Sequence, residues 1–451
     1  MNTPSTAADF AGKRPSSQIG RHVFWQRVNR FSRLPILAVV FGLTLMAAGT
    51  ARAQTYTVIY NFFSAQAPTA GVTIDRAGNL YGTAAGGGTF GYGIVFRLAY
   101  KNSSWLFTPL YNFQGGTDGE LPTNPLTIGP DGGLYGTTTY GGVEGCEYCG
   151  VVFKVTPPPT RCRSALCPWS ERLLYRFTGG LDGSGPAGPL LLDASGNIYG
   201  TTILGGTAND GTVFNLTASG GSWTESVLHN FNIQDGTFPN SGVISDSAGN
   251  LYGTALSHGP YSFGSAYELS PSGSGWDFTI LHGFMWQTDG GYPLGGVTFD
   301  SAGNLFGTTA FLGPNGGGTA FELSPESDSW SFSNLYSFTC FGGYCSESPA
   351  HVSRREPLIY SNTPGPRASL LRDTAGNLYG TTASDGAIGC GSIFELSPTQ
   401  DGWTYTTLHE FTGGDDGCGS SGSVAMDSAG NLYGTAGGGA LGNGLVWEIA
   451  R

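Results

Sequence analysis

One phrase, G-N-L-Y-G-T, returns seven times in this chain of 451 residues. Its copies begin at Gly78, Gly132, Gly196, Gly249, Gly303, Gly376 and Gly430, with small changes of wording. The spacings are 54, 64, 53, 54, 73 and 54 residues, so a unit near 54 is lengthened twice. A fixed period of this size means a solenoid, a propeller or an array, because each unit buries its apolar face only against its neighbours.

Three further phrases keep step with the first. G-x-V-F-x-L follows it, as in Gly93–Leu98 and Gly211–Leu216. A Trp-led phrase comes next, as in Trp223–Phe231 and Trp403–Phe411. A short apolar stretch ending in Asp, such as Gly295–Asp300, completes the unit. All four are runs of five to nine residues, rich in Val, Ile, Thr and aromatics and separated by Gly, Asn, Asp and Pro, which is the pattern of strands and tight turns. In chain order they are strand a (ending in Asp), b (LYGT), c (VFxL) and d (W…LYxF). The 75 Gly residues argue against helix, where each interior Gly costs about 1 kcal/mol. The 13% of aromatic residues argue against disorder.

Four strands per unit predict an all-β, seven-bladed β-propeller with four-stranded antiparallel blades. An open solenoid is the alternative, and the chain ends separate the two. Tyr56–Phe62 reads as a spare d phrase, whereas Gly444–Ile449 is a c phrase with no d after it. The N-terminal strand is therefore expected to complete the last blade and close the ring, which also removes open sheet edges.

The first 53 residues read differently. A basic stretch (Lys13, Arg14, Arg21, Arg27, Arg30, Arg33) precedes the apolar run Ile36–Ala48 and the small-x-small site Ala51-Arg52-Ala53. That is the order of a signal peptide, with an uncleaved anchor as the alternative. Residues 54–451 are then one propeller domain, interrupted near 157–168 and 340–366. No later segment is long and apolar enough to span a membrane. Without residues 1–53 the chain carries 13 Lys and Arg against 31 Asp and Glu, a net charge of −18. Such a surface repels phosphate backbones, so nucleic acid is not an expected partner. A secreted monomer is expected.

Repetition also bears on chemistry. Asp75, Asp193, Asp246, Asp300, Asp373 and Asp427 recur in nearly every unit, so they read as a–b turn residues rather than catalysts. The Gly of LYGT is expected where strands crowd, near the axis. His229, His282 and His409 replace the Tyr of LYxF and read as packing positions, not bases. Asp118, Asp182, Asp235, Asp289 and Asp416 recur in D-G turns. They read as turn residues, with calcium as an alternative that no EF-hand spacing supports.

These ordered phrases resemble the GloVer tandem-repeat family of secreted bacterial proteins, over about residues 56–450. Two copies depart from the pattern: Gly132-Gly133 replaces Gly-Asn, and Gly264–Leu269 lacks the Val. Family members carry various C-terminal anchors, and none follows Arg451. The resemblance thus implies export, leaves attachment open and transfers no catalytic residue.

All eight Cys follow the leader, which suggests disulfides in an exported chain. Cys146-x2-Cys149-x12-Cys162-x4-Cys167 has ribbon-like spacing for zinc. In an up-and-down blade, however, the b–c and d–a loops share one end, and the a–b and c–d turns share the other. A six-residue strand would hold the two Cys pairs about 20 Å apart. The expected bonds are Cys146–Cys149, Cys162–Cys167, Cys340–Cys345 and Cys390–Cys418, with no metal and no cofactor.

Function is sought where the units differ. The two interruptions and their flanks carry Arg161, Arg163, Arg172, Arg176, Arg354, Arg355, Arg367 and Arg372, read either as loop decoration or as a contact patch for an acidic partner or polyanionic glycan. The b–c and d–a loops offer Tyr140, Glu144, Tyr148, His258 and Tyr261, then Trp286, Tyr292, Phe341, Tyr344 and Asp385. Phe90, Tyr92, Asp210 and Phe263 stand among them. Aromatic faces beside carboxylates suit sugars, so the loop end is expected to bind glycan or a cell-surface protein. The alternative is a polysaccharide-acting enzyme with carboxylates gathered from several blades. No nucleophile elbow, HExxH, Walker A or dinucleotide fingerprint occurs.

Overall fold

The turn between strands a and b is built by its own Asp. The amides of Ala77 and Asn79 donate to Asp75 Oδ1, both at 2.9 Å. The Asn79 side-chain amide and the Tyr81 hydroxyl donate to Oδ2 at 2.8 and 3.1 Å. Burial works against the charge on Asp75, but these donors outweigh it and hold the carboxyl below its usual range. Asp193, Asp373 and Asp427 repeat the set with the Tyr. In the second unit Gly129 stands in the Asp position, and Asp131 pairs with Lys154 instead.

The structure is a computed structural model that describes residues 54–63, 66–159, 168–340, 365–420 and 422–451. Among these residues, 28 strands form seven antiparallel sheets of four, in a–b–c–d order, ringed as a seven-bladed β-propeller. The proposed leader lies outside the described residues, as do most of the two interruptions. Blade 1 comprises Val72–Ile74, Leu80–Ala84, Ile94–Lys101 and Ser104–Asn112. The other blades follow in chain order. Blade 7 takes its d strand, Thr55–Asn61, from the N-terminal side, paired from Thr55↔Ala450 to Asn61↔Leu445. Strand a is shorter than its phrase suggests: it spans two or three residues in six blades and nine only in Ser184–Leu192. Neighbouring inner edges crowd there. A Cβ at Gly188 would stand 2.2 Å from the Ser241 carbonyl carbon.

The Gly of LYGT serves a different crowding from the axial one expected. In every blade it faces the aromatic ring of strand c. A Cβ at Gly82 would lie 2.5 Å from Phe96, and one at Gly434 2.3 Å from Trp447. That ring in turn meets the buried Phe that ends strand d of the preceding blade, as in Phe113–Phe153 and Phe231–Tyr267, with centroids 5.0 and 5.1 Å apart. Seven apolar clusters therefore form, one between each pair of neighbouring blades. The cluster of Phe62, Phe96, Tyr433 and Val446 joins blade 7 to blade 1.

A second layer runs outside this one. Two residues before the terminal Phe of strand d, each blade presents Tyr or His toward the next blade's strand d. Five junctions stack it on an aromatic ring: Tyr60–Phe107, His229–Phe278, His282–Phe332, Tyr336–Tyr405 and His409–Tyr56, at 3.7–4.6 Å. At the other two junctions, Glu171 and Glu225 occupy the slot beside Tyr111 and Tyr175. Further out, the Trp that opens strand d packs on the LYGT Tyr of the preceding blade, as Trp105 does on Tyr433 at 6.0 Å. Strand d of blade 7 begins too late for a Trp. Arg451 takes that place, its guanidinium 4.8 Å from the Tyr379 ring centroid and bonded to Glu395 at 2.7 Å.

Candidate functional site

The two ends of the ring differ because the turns differ. One end has the a–b and c–d reversals, tight in most blades, as at Asn102-Ser103 with positive φ at both residues, and long between Thr156 and Ser170 in blade 2. The other gathers every b–c and d–a loop. Six blades carry a buried Pro where the chain enters strand a, four residues before a buried Val or Leu: Pro68, Pro122, Pro186 (inside the long strand a of blade 3), Pro239, Pro293 and Pro366. Five of these prolines, all but Pro366, seat against a glycine that opens the neighbouring strand c. A Cβ at Gly93 would stand 2.4 Å from Pro122, and one at Gly444 would stand 2.4 Å from Pro68.

Directly after each Pro, the chain turns inward and the repeat lapses. The next position reads Thr69, Thr123, Ala187, Asn240, Leu294 and Arg367 in blades 1 to 6. Five of these six line a cavity of about 440 Å³ at the mouth of the axial channel. Every blade contributes to its wall. A second cavity of the same size continues down the axis between Val72, Leu126, Val243, Val297, Leu370 and Val424. Arg367 is the one charged side chain among the described residues of the mouth. It is half-buried, and desolvation draws its guanidinium down to about 10. Asn124 is committed to structure: its amide donates to Thr137 Oγ1 at 2.9 Å, and its oxygen accepts from the Gly188 amide at 3.0 Å. Ser369 Oγ accepts from the Gly296 amide at 2.9 Å, leaving its hydroxyl proton to give.

The residues expected to bind divide sharply. Tyr140 lines the mouth, and its ring lies 4.7 Å from that of Tyr148. Tyr261 and Trp286 are exposed at the loop end, and Trp286 packs edge-on against Phe263 at 5.2 Å. Glu144 is exposed at a loop tip. His258 is half-buried, with Nδ1 3.0 Å from Thr237 Oγ1. Tyr292 and Asp385 do not present themselves to solvent. Tyr292 sits in an apolar cluster with Phe311 and Leu312 that underpins the loops. Asp385 is buried, accepts from Thr382 and Ser392, and is pushed above the usual carboxylate range by burial. Asp210 is buried as well. Phe341 and Tyr344 lie outside the described residues. Asn240 and the ring of positions around it were missed. Their signal is a column that varies where the columns beside it repeat.

Exposure follows the same division. Of the twelve large apolar side chains left exposed among the described residues, only Tyr100 and Leu106 belong to the hairpin end. The other ten, from Phe63 round to Leu441, stand at the loop end. The arginines form no single patch. Arg172 donates to Gly221 O at the hairpin end, where Arg372 covers the Phe306 ring at 5.8 Å. Arg176 and Arg367 belong to the loop end. Arg161, Arg163, Arg354 and Arg355 lie outside the described residues.

The D-G aspartates are held by protein donors. Asp118 and Asp182 accept from Tyr111 and Tyr175 at 2.8 and 3.1 Å. Asp235, Asp289 and Asp416 face the Nε2 atoms of His229, His282 and His409 at 3.1, 2.7 and 3.1 Å. Burial draws the His229 and His409 rings below the usual imidazole range, against the pull of these carboxylates. His229, His282 and His409 thus lock the d–a turn while stacking on the next blade, whereas Tyr111 and Tyr175 lock the turn and Tyr60 and Tyr336 stack. Among the described residues, no group of three or more His, Cys, Asp or Glu is placed to hold a metal. Disulfides join Cys146 to Cys149 and Cys390 to Cys418, as the two-ended geometry requires. Cys162, Cys167 and Cys345 lie outside the described residues, so the pairings expected of them do too. No described helix is long and apolar enough to cross a membrane.

A seven-bladed β-propeller built from tandem repeats, with an open mouth on its loop end, is the class these features define. A family described as the Gloeobacter/Verrucomicrobia repeat matches residues 38–166 and 166–364, and the chain belongs to that family. No curated protein matches. Among solved structures, the chain is similar to a Thermus thermophilus protein proposed to be an oxidoreductase (glucose dehydrogenase). That match has 13% identity and a TM-score of 0.40, covering 88% of this chain and 100% of that one. It is also similar to a Dyadobacter fermentans protein of unknown function, at 11% identity and a TM-score of 0.41, with the same coverage. Likenesses of this depth fix neither activity nor ligand.

Proposed function

We propose that this is an exported binding module that takes a saccharide at its loop end, centred on the axial mouth. The observation that carries this reading is the concentration of exposed aromatic and apolar side chains at that end, around a cavity whose walls mix Thr, Asn and Ser with Leu, Pro and Ala. Trp286 and Tyr261 offer faces for sugar rings, and Asn240 and Ser369 offer partners for hydroxyls. The basic-apolar-small order of residues 13–53 and the disulfides support export.

Binding is favoured over cleavage because glycoside hydrolysis ordinarily needs a pair of carboxylates, and the described lining of the mouth supplies none. The test combines glycan-array binding with turnover assays on polysaccharides. Saturable binding without turnover, lost in Trp286→Ala or Tyr140→Ala, is the expected result. Turnover abolished by one acidic loop-end substitution would establish the enzyme instead. The absence of saccharide binding would refute the reading.

A further inference from the structure

We propose that the saccharide taken at the loop end is uncharged, a chain of gluco- or xylo-configured pyranoses that stacks on Trp286. The inference rests on the saccharide reading of the loop end and adds the ligand's class to it.

Charge sets this side of the ring apart. The 177 residues from Phe177 to Ser353 contain 14 Asp and Glu and no Lys or Arg. A polyanionic chain lying there would be repelled and would find no counter-charge. The carboxylates of the loops leaving blades 3 and 4 are also withdrawn. Asp235 accepts from the Asn232 side-chain amide at 2.6 Å and faces His229, and Asp289 is buried against His282. These loops and the b–c loops of blades 4 and 5 expose Ile233, Gln234, Tyr261, Trp286, Gln287 and Asn315, and no charged side chain. Ring faces and amides without charge suit the C–H groups and hydroxyls of a neutral sugar.

Trp286 is a platform fixed in advance. Its place, two residues after the Phe that ends strand d, holds Gly115, Gly179 and Gly413 in blades 1, 2 and 6. In those blades the b–c loop closes over it. A Cβ would stand 2.7 Å from the Tyr92 ring at Gly115, 3.0 Å from the Cys146 and Cys149 sulfurs at Gly179, and 3.1 Å from Cys390 Sγ at Gly413. Glycine serves three blades there, so the blade itself does not require an indole. In blade 4 the place is open, and Trp286 keeps 43% of its surface exposed. Its carbonyl accepts from the Gly313 amide at 2.9 Å. Its ring rests edge-on against Phe263 at 5.2 Å, and Phe263 against the buried Tyr292 at 6.0 Å. A ring already held in place loses little freedom on binding. A pyranose with equatorial hydroxyls turns its axial C–H groups to such a face. Gln287 follows in the same loop, and its amide can both donate to and accept from hydroxyls.

The test is calorimetric titration with three oligosaccharides of one length: a β-linked glucan, a β-linked xylan and an oligogalacturonate. Wild type is compared with Trp286→Ala, Trp286→Phe, Tyr140→Ala and Phe90→Ala, with melting curves to establish folding. Wild type is expected to bind the glucan or the xylan at least about 10-fold tighter than the oligogalacturonate. Trp286→Ala should weaken that binding about 10-fold or more, the scale of one lost stacked ring, and Trp286→Phe should keep part of it. Phe90→Ala, in the exposed b–c loop of blade 1, should leave it within about twofold. An oligogalacturonate bound as tightly as the neutral chains would overturn the assignment of an uncharged ligand. Neutral binding unchanged in folded Trp286→Ala would overturn the platform. Either result, with binding lost in Tyr140→Ala, would leave the saccharide reading standing. No binding of any of the three would overturn both.

Discussion

The girdle of the ring and its mouth are each built once per blade, yet they treat repetition in opposite ways. In the girdle, the Gly of LYGT, the strand-c ring, the terminal Phe and the Tyr or His before it recur because each fills a space that its neighbours define. At the mouth, the position after the d–a proline reads Thr, Thr, Ala, Asn, Leu and Arg in six successive blades. Ala187 and Leu294 pack into the apolar cluster beneath the loops, whereas Thr69, Thr123, Asn240 and Arg367 are partly or fully exposed, so packing accounts for only part of the variation. Repeated side chains record the requirements of the fold. Unrepeated ones, on a repeated backbone, mark the place where something other than the fold is recognised. Only two girdle slots break the rule, where Glu171 and Glu225 replace stacked rings.

The girdle is broken most severely by removing its last piece. Deleting residues 54–63 leaves blade 7 without its fourth strand and removes Tyr56 and Phe62 from two junctions. The melting temperature should fall by about 10 °C or more. An unchanged value would contradict closure by this strand.

The two glutamate slots give a smaller effect with a distinctive sign. Burial, then the charges of Asp118 and Asp182, push the Glu171 and Glu225 carboxyls up to about 7. Their usual value is 4.5. The folded chain therefore binds more protons than the unfolded one between these values. The contribution of these two groups to stability is fully present below 4.5 and is lost as pH rises through 7. The groups are partly open to solvent, so the effect is screened. Replacing both by Gln should raise the melting temperature at pH 8 by about 1–2 °C and leave it nearly unchanged at pH 4.5. Turn aspartates such as Asp75 act in the opposite direction, holding stability above their usual 3.8 and losing it under more acid conditions.

The smallest change tests the slot filled by Phe in most blades. Tyr267 puts a hydroxyl there that is fully buried and without a partner. Removing it relieves a desolvation cost of about 1 kcal/mol. Tyr267→Phe should therefore be neutral or raise the melting temperature by about 1 °C. A clear loss would mean that the hydroxyl has a use.

The blade count, the closing strand and the Cys146–Cys149 and Cys390–Cys418 bonds were legible in the sequence because each rests on contacts local to a unit or on its phase. The partner of the LYGT Gly was not, since the Phe96 ring reaches Gly82 from the next strand. The burial of Tyr292 and Asp385 was hidden because loops of similar composition fold inward or outward according to what lies beneath them. The mouth was least legible. Its residues stand fifty or more positions apart, and they matter because they do not repeat.

The most direct test sets the mouth against the hairpin end. Saccharide binding and melting would be measured for Thr123→Ala/Asn240→Ala and for Tyr100→Ala/Leu106→Ala. The mouth pair should weaken binding about 10-fold, the scale of one or two lost hydrogen bonds, with only a small fall in melting, because the Thr123 hydroxyl also bonds that of Thr139. The hairpin pair should leave binding intact. Binding lost in the hairpin pair and kept in the mouth pair would contradict the placement of the site.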